Sequence, residues 1–184
     1  VLVPMQGSLA PEGAFLRSTA WLERAERDSQ FTGHARIFET QEEVVQAVRD
    51  GAIAPGTVVV LRGIGPRGQP GMGMASMAAF ALSYSHLADS TALVTDGQIS
   101  GLVNRGLVVV EVSPEAVRED SPLGLVQDGD RVRIDLAARR VDLLVDERLL
   151  ARRQPYRKPV AAERGWLSIY GALARSVREG AVIT

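Results

Sequence analysis

The sequence predicts a mixed α/β fold, and three observations support this. Residues 57–112 contain three short runs that are almost wholly apolar and β-branched, as strands buried on both faces are. Stretches with apolar residues at helical spacing separate or flank these runs. Residues 131–145 alternate apolar and polar side chains, which is typical of a hairpin with one solvated face. A sheet with flanking helices accounts for all three patterns.

Composition indicates one ordinary globular domain over residues 1–184, because 46% of the residues are hydrophobic and 23% are charged. Lysine and arginine number 21 against 22 acidic residues, so the net charge of −1 offers no field that would attract nucleic acid or an anionic membrane. Cysteine is absent, which excludes disulfides and any thiolate-held iron–sulfur cluster bound by this chain alone.

The opening Val1-Leu2-Val3 lacks the basic and long apolar regions of a signal peptide. No apolar run approaches the roughly 20 residues of a membrane span. We therefore expect a cytoplasmic protein that binds neither a membrane nor nucleic acid.

The first 30 residues have no sustained strand period. They combine a small, polar opening with the charged stretch 23–28. We therefore expect residues 1–30 to form an irregular arm with room for a short helix. The core is then expected over residues 31–184.

The first core elements are a short strand at 35–39 and a helix that begins at Thr40. Glu43 follows three residues later, the spacing at which each side chain can cap the other's backbone NH. The helix is expected to end at Gly51. Residues 57–62 then form a strand buried on both faces.

A helix over residues 75–86 follows, and its apolar stripe is interpreted as core. Strands are expected at 91–95 and 106–112. The stripe consists of Met77, Phe80, Ala81 and Tyr84.

In the last third, Ser113 and Pro114 resemble a helix cap and first turn. The hairpin at 131–145 closes the β part. Asp146 is expected to cap a helix over 147–153, and residues 166–178 form a last helix.

The segment 63–74 is too rich in glycine and proline for a regular element, although it formally contains G-x-G-x-x-G after a strand. A dinucleotide site is disfavoured because Pro66 and Pro70 postpone any helix to about Met72. In addition, no acidic residue that could bind a ribose occurs from 51 to 88.

The same window suits a small anion such as a carboxylate, because Arg62 and Arg67 are its only formal cations. The alternative is that both arginines are solvated at a loop rim.

The loop 95–101, Thr-Asp-Gly-Gln-Ile-Ser-Gly, lies at the end of a buried strand. Its two glycines admit backbone conformations that other residues resist. Ser100 is therefore the first hydroxyl to consider as a functional group. The alternative is a turn serine that satisfies loop backbone. His34 and His86 have neither the spacing nor the acidic neighbours of a metal pair, and we interpret both as structural or solvated.

The segments 65–72 and 95–101 together resemble the C-terminal domain of the dihydroxy-acid dehydratase / phosphogluconate dehydratase family. Further matches in family order make the resemblance nearly end to end. They are Gly7 to Ala14, Ser113 to Ala116, Asp128 to Asp130, Leu143 to Glu147 and Gly180 to Val182.

This resemblance implies a swivelling β/β/α domain, with a compact β-barrel-like core and flanking helices. It also implies a larger N-terminal domain that holds an iron–sulfur cluster and Mg²⁺, in an enzyme expected to be a homo-oligomer.

Members of the family dehydrate dihydroxy acids or sugar acids to 2-oxo acids. Ser100 matches the serine that removes the proton α to the carboxylate, while the cluster acts as Lewis acid on the departing hydroxyl. A serine is basic only beside strong positive charge. The substrate-binding positions are then expected at Arg62, Arg67, Gly71, Met72, Thr95, Asp96, Gly97 and Gly101.

The chain departs from the family pattern at the position of a metal ligand. The family loop usually reads P-G-M-P-E with the glutamate as a metal ligand, whereas Met74 stands at that position here. Mg²⁺ requires hard oxygen ligands, so a thioether cannot replace the carboxylate. Ile64 and Glu111 also stand where the family commonly has an acidic residue and a histidine.

Two hypotheses follow. The first is the C-terminal domain or subunit of a hydro-lyase, a divergent one, inactive as this chain alone and completed by an N-terminal cluster-binding part. The second is a non-catalytic module, binding small anions or proteins, that kept the barrel. The retained Ser100 loop favours the first hypothesis and Met74 favours the second.

Overall fold

The computed structural model describes residues 2–17, 29–158 and 165–184. Its strands are β1 (Leu2–Met5), β2 (Gly13–Arg17), β3 (Gln30–Phe38), β4 (Thr57–Leu61), β5 (Ala92–Thr95), β6 (Leu107–Ser113), β7 (Arg131–Asp135) and β8 (Arg140–Leu143). The helices in the described residues are α1 (Gln41–Arg49), α2 (Ser76–Ser83), α3 (Pro122–Leu125), α4 (Glu147–Leu150) and α5 (Trp166–Leu173), followed by a 3₁₀ turn at Val177–Glu179.

The eight strands form one sheet in the order β1-β2-β6-β5-β4-β3-β7-β8. Strands β3 to β6 pair in parallel, whereas β1, β2, β7 and β8 join the two edges antiparallel. Gln6, directly after β1, bridges Arg140 at the start of β8. The sheet is therefore a nearly closed barrel, and the expected mixed α/β, barrel-like fold is confirmed.

Strands β4, β5 and β6 are buried on both faces, as their continuous apolar runs predict. Along β4, Val58 and Val60 belong to the core inside the barrel. Val59 and Leu61 point the other way, into a second core with residues of α1 and α2. Because side chains alternate along a strand, one β-branched run contributes to two apolar layers.

Helix α1 begins at the predicted capping box. The Thr40 side chain accepts from the Glu43 NH at 3.2 Å, and the Glu43 carboxylate accepts from the Thr40 NH at 3.2 Å. Val44 is buried, while Val45 and Val48 are partly buried. The predicted Asp146 cap is also present, accepting from the Arg148 NH at 2.8 Å.

The irregular arm expected over residues 1–30 is wrong for residues 2–17, where β1 and β2 pair with each other and β2 pairs with β6. These strands are four and five residues long, too short for a strand period to stand out. The charged stretch 23–28 lies outside the described residues.

The face expected to be buried on α2 is wrong for Met77 and Tyr84, although Phe80 packs against the core as expected. Met77 is 50% exposed and Tyr84 is 65% exposed, whereas Ala78, Ala79 and Leu82 are buried. Helices α1 and α2 pack against each other. Ala47 of α1 and Ala78 and Ala79 of α2 belong to one apolar cluster, and such small side chains let two helices approach closely.

A helix starting at Ser113 is wrong as well. Ser113 ends β6, residues 116–120 form turns, and the helix begins instead at Pro122, with Ser121 as its cap. The last helix is shorter than expected, since α5 ends at Leu173. No helix in the described parts of the chain is long and apolar enough to cross a bilayer.

Candidate functional site

The two glycine-containing loops, 63–74 and 95–101, lie side by side, as a shared site requires. They follow β4 and β5, which are parallel neighbours, so both emerge at the same edge of the sheet. The Gln98 NH donates to the Gly73 carbonyl at 2.9 Å, and the Ala75 NH donates to the Gln98 carbonyl at 2.6 Å. The loops are thus joined by backbone hydrogen bonds.

Asp96 anchors this arrangement from beneath. Its side chain is fully buried, and its carboxylate accepts from the NH groups of Gly63 and Ile64, each at 3.0 Å, and of Ala116 at 2.9 Å. Burial raises the pKa of Asp96, and the backbone hydrogen bonds limit the rise. Asp96, predicted to bind substrate, connects its own loop to the start of the loop 63–74 and to the backbone at Ala116.

Glu115 holds the loop 63–74 from a second side. Its carboxylate accepts from the Arg67 NH at 2.9 Å and the Gly68 NH at 3.1 Å. Burial raises the pKa of Glu115, opposed by those two hydrogen bonds. A Cβ on Gly65 would lie 2.7 Å from a Glu115 carboxylate oxygen, so this position requires glycine. Glu115, the glutamate of the Ser-Pro-Glu-Ala run, therefore holds the loop 63–74 in place.

Ser100 is half-buried where the second loop meets the start of α2. Its NH donates to the Ser76 hydroxyl at 2.8 Å, and its own hydroxyl oxygen accepts from the Leu102 NH at 3.2 Å. This is the geometry of a serine turn.

Thr95 and Gly97 are buried, and the Thr95 hydroxyl accepts from the Gly97 NH at 3.0 Å. Gly71 and Met72 have positive φ angles of 91° and 70°, and Gly71 is exposed at the tip of the first loop. Apart from the two arginines, the predicted substrate-binding positions with solvent access are thus Gly71, Met72 and Gly101.

The two arginines predicted to bind a carboxylate are engaged elsewhere. The Arg62 guanidinium donates to the Val126 carbonyl at 2.9 Å and lies 4.5 Å from the centre of the Tyr156 ring. Burial lowers its pKa. Arg67 donates to the carbonyls of Gly171 at 3.2 Å and Ala172 at 2.7 Å. These contacts favour structural roles for both side chains.

Arg17, at the end of β2, is the cation that the sequence reasoning missed. A Cβ on Gly101 would lie 3.3 Å from an Arg17 guanidinium nitrogen, so this side chain reaches the Ser100 loop. The signal in the sequence was weak, because Arg17 lies in the segment expected to be an irregular arm.

The polar groups beside the loops do not by themselves form a metal site. No group of three or more His, Asp or Glu side chains that could hold a metal ion occurs in the described ranges. The carboxylate oxygens of Asp96 and Glu115 accept hydrogen bonds from backbone NH groups. Met74 is 44% exposed and pairs with Gln98 through backbone only. The donor set that the described residues place at these loops therefore does not fit Mg²⁺ without further oxygen ligands.

A cleft of about 690 Å³ opens between the β1–β2 hairpin, β6 and the β7–β8 turn. Glu111 lines it and also accepts from the Gln98 side chain at 3.2 Å, so the cleft borders the second loop. Ser100 and Met72 do not line it.

Comparison with known proteins decides the family. The model of the dihydroxy-acid/6-phosphogluconate dehydratase C-terminal region matches residues 1–181. The chain belongs to this family. The resemblance found in the loops is thereby confirmed over the whole length of the chain.

Several dihydroxy-acid dehydratases are similar to this chain. Those of Ignicoccus hospitalis and Pyrococcus abyssi are each 44% identical, over 99% and 98% of the chain. One from Thermus thermophilus is 41% identical over 99% of the chain. In all three comparisons the chain spans 32% of the length of the relative. It therefore corresponds to the C-terminal third of a dehydratase of this family.

Proposed function

We propose that this chain is the C-terminal domain or subunit of a hydro-lyase that converts a dihydroxy acid or a sugar acid to a 2-oxo acid. The observation that carries the proposal is the joined pair of loops with the Ser100 hydroxyl at their edge, in a member of the dehydratase family. An N-terminal part of the enzyme completes the site. The cytoplasmic location, the swivelling motion and the homo-oligomer stay predictions.

Ser100 is assigned the role of the base that removes the proton from the carbon next to the substrate carboxylate, after positive charge supplied by the N-terminal part has allowed its own hydroxyl proton to leave to solvent. Its oxygen already accepts from the Leu102 NH, which stabilises negative charge on that atom. Arg17 supplies positive charge to this loop, since its guanidinium approaches Gly101. We assign to it the binding of the substrate carboxylate, in place of Arg62 and Arg67.

The iron–sulfur cluster and Mg²⁺ that the family implies belong to the N-terminal part in this proposal. This chain has no cysteine for a cluster. At the loops it presents a thioether, Met74, where a carboxylate ligand is expected. We therefore assign no step of the reaction to a metal held by this chain, and we propose that the enzyme is divergent in its metal site.

The second candidate function is a non-catalytic module that binds small anions or proteins. The burial of both Asp96 and Glu115 in structural roles, together with Met74, favours it. The two proposals differ in whether a 2-oxo acid is formed.

The test uses the assembled protein, meaning this chain together with the N-terminal part of its native enzyme, whether fused or separate. Formation of a 2-oxo acid is measured from a 2,3-dihydroxy acid and from a sugar acid. We expect turnover only in the assembled protein, with neither iron nor activity in the 184-residue chain alone. An assembled, cluster-loaded protein that forms no 2-oxo acid would favour the binding module. Turnover by the isolated chain would overturn the division of roles.

A further inference from the structure

Helix α5 is apolar and exposed along its length. Its sequence, Trp-Leu-Ser-Ile-Tyr-Gly-Ala-Leu, contains no charged residue, and none of its eight residues is buried. The side chains of Trp166, Leu167, Ile169 and Leu173 are 68%, 49%, 45% and 51% exposed. Contiguous large apolar side chains on an exposed helix indicate a surface that another element covers.

The helix is nevertheless firmly placed on the domain. Arg67 donates to the carbonyls of Gly171 and Ala172 at its C-terminal end. A Cβ on Gly171 would lie 3.2 Å from Pro70, so glycine lets the helix lie directly on the first loop. The Tyr170 hydroxyl donates to the Ala181 carbonyl at 2.8 Å. The helix is therefore held in position with its apolar residues outward.

From these contacts we infer that the apolar surface of α5 docks on the N-terminal part of the dehydratase and that this contact closes the candidate site. The inference rests on the proposed function. Two observations select this occupant. The chain accounts for 32% of the length of its relatives, so about two-thirds of each relative lies outside it. The helix also abuts the loop 63–74, so whatever covers α5 borders the loops as well.

The uncharged character of α5 specifies the chemistry of the partner surface. A docking surface without charge requires an apolar counterpart, since a charged group buried against it would lose its hydration without gaining a partner. The hydrogen bonds of Arg67 link docking to the site, because a shift of α5 would move the loop that carries Arg67.

Cysteine footprinting tests the inference, since the chain has no cysteine of its own. Leu167→Cys places a thiol on α5. Leu149→Cys is the matched control, because Leu149 on α4 is 50% exposed against 49% for Leu167. Each variant is treated with a maleimide, as the isolated chain and as the assembled protein. Modification of the peptide that contains the new thiol is followed by mass spectrometry, which separates it from thiols of the N-terminal part.

We expect both thiols to react rapidly in the isolated chain. In the assembled protein the thiol at 167 should react at least tenfold more slowly, while the thiol at 149 keeps its rate. Equal reactivity at 167 in both states would overturn the inference, whether or not the assembly forms a 2-oxo acid. Protection at 167 in the isolated chain, rising with concentration together with a dimer mass, would identify a second copy as the occupant instead. A native protein without an N-terminal part would also overturn it.

Protection at 167 in an assembly without dehydratase turnover would support the docking and reject the proposed function. The docking of α5 and the proposed dehydratase function can therefore be rejected independently of each other.

Discussion

At the scale of single residues, the site depends on two carboxylates that are buried away from solvent. Asp96 and Glu115 accept from five backbone NH groups between them: Gly63, Ile64, Ala116, Arg67 and Gly68. Such hydrogen bonds to a charged acceptor are about twice as strong as neutral ones. They fix the loops so that Ser100 and the loop backbone keep their places.

Replacing Asp96 should therefore cost stability. In Asp96→Asn one carboxylate oxygen becomes an NH₂ group that faces backbone NH donors, so at least one buried NH loses its acceptor. We expect the free energy of unfolding to fall by about 2–4 kcal/mol. Urea denaturation at neutral pH measures this. The exposed Glu42→Gln on α1 is the control and should change stability by less than about 0.5 kcal/mol. A fall of that small size in Asp96→Asn would show that Asp96 does not hold the loops.

Arg17 is the residue whose assignment most needs a kinetic test. Arg17→Ala in the assembled enzyme should raise KM about tenfold or more, because a charge-assisted hydrogen bond to the substrate carboxylate is lost. Arg49→Ala, an exposed arginine at the end of α1, should leave KM unchanged. Steady-state kinetics measures KM for both variants and for the parent enzyme. An unchanged KM in Arg17→Ala would show that Arg17 does not bind the substrate carboxylate. That role would then be assigned to a cation of the N-terminal part.

At the scale of elements, the barrel closes where the segment after β1 meets β8. The Gln6 NH donates to the Arg139 carbonyl at 3.0 Å, the Val141 NH donates to the Gln6 carbonyl at 3.0 Å, and the Leu9 NH donates to the Val141 carbonyl at 3.2 Å. Gly7 lies against this seam, since a Cβ there would overlap the carbonyl oxygen of Val141. The seam thus admits only glycine at this position.

Gly7→Ala should open the seam and lower the free energy of unfolding by about 2 kcal/mol or more. Gly101→Ala is the control, because a Cβ there meets only the end of the Arg17 side chain at 3.3 Å. Thermal denaturation compares the two variants. Equal melting temperatures would show that the close approach at Gly7 is relieved without cost.

Sequence patterns were reliable where one local interaction decides the outcome. The capping box at Thr40 and the doubly buried run of β4 need only neighbouring residues, and both were predicted. The buried face of α2 was not predicted, because close helix packing selects alanine over the larger Met77 and Tyr84. The engagement of Arg62 with the Val126 carbonyl, 64 residues away, has no local signal at all. Arg17 was missed because β2 is stabilised by its neighbours in the sheet rather than by its own pattern.

At the scale of the whole molecule, the seam carries a titrating group. The Asp142 carboxylate accepts from Arg140 at 2.6 Å and Arg133 at 3.2 Å, and from the Ser8 NH at 2.9 Å. Burial acts to raise the pKa of Asp142, but these hydrogen bonds outweigh burial and lower it to about 2. An unfolded aspartate titrates at about 3.9.

Because the folded pKa is depressed, Asp142 stabilises the fold above about pH 4, and this contribution is lost as the pH falls toward 2. Its size is roughly 2 kcal/mol. Asp142→Asn should therefore be less stable than the parent protein by about that amount at pH 7, and the difference should shrink between pH 4 and pH 2. Urea denaturation at several pH values measures it. A difference that is constant with pH would contradict the assignment to this carboxylate.

The central claim is that Ser100, on the joined loops, removes the substrate proton in the assembled dehydratase. The most direct test is kcat of Ser100→Ala in the assembled protein, beside Ser85→Ala as a matched turn serine whose hydroxyl accepts from the Leu87 NH at 3.1 Å. We predict a fall in kcat of at least about 100-fold for Ser100→Ala and none for Ser85→Ala, with stability of both within about 1 kcal/mol of the parent. Full turnover by Ser100→Ala would make the serine an ordinary turn residue and contradict the account.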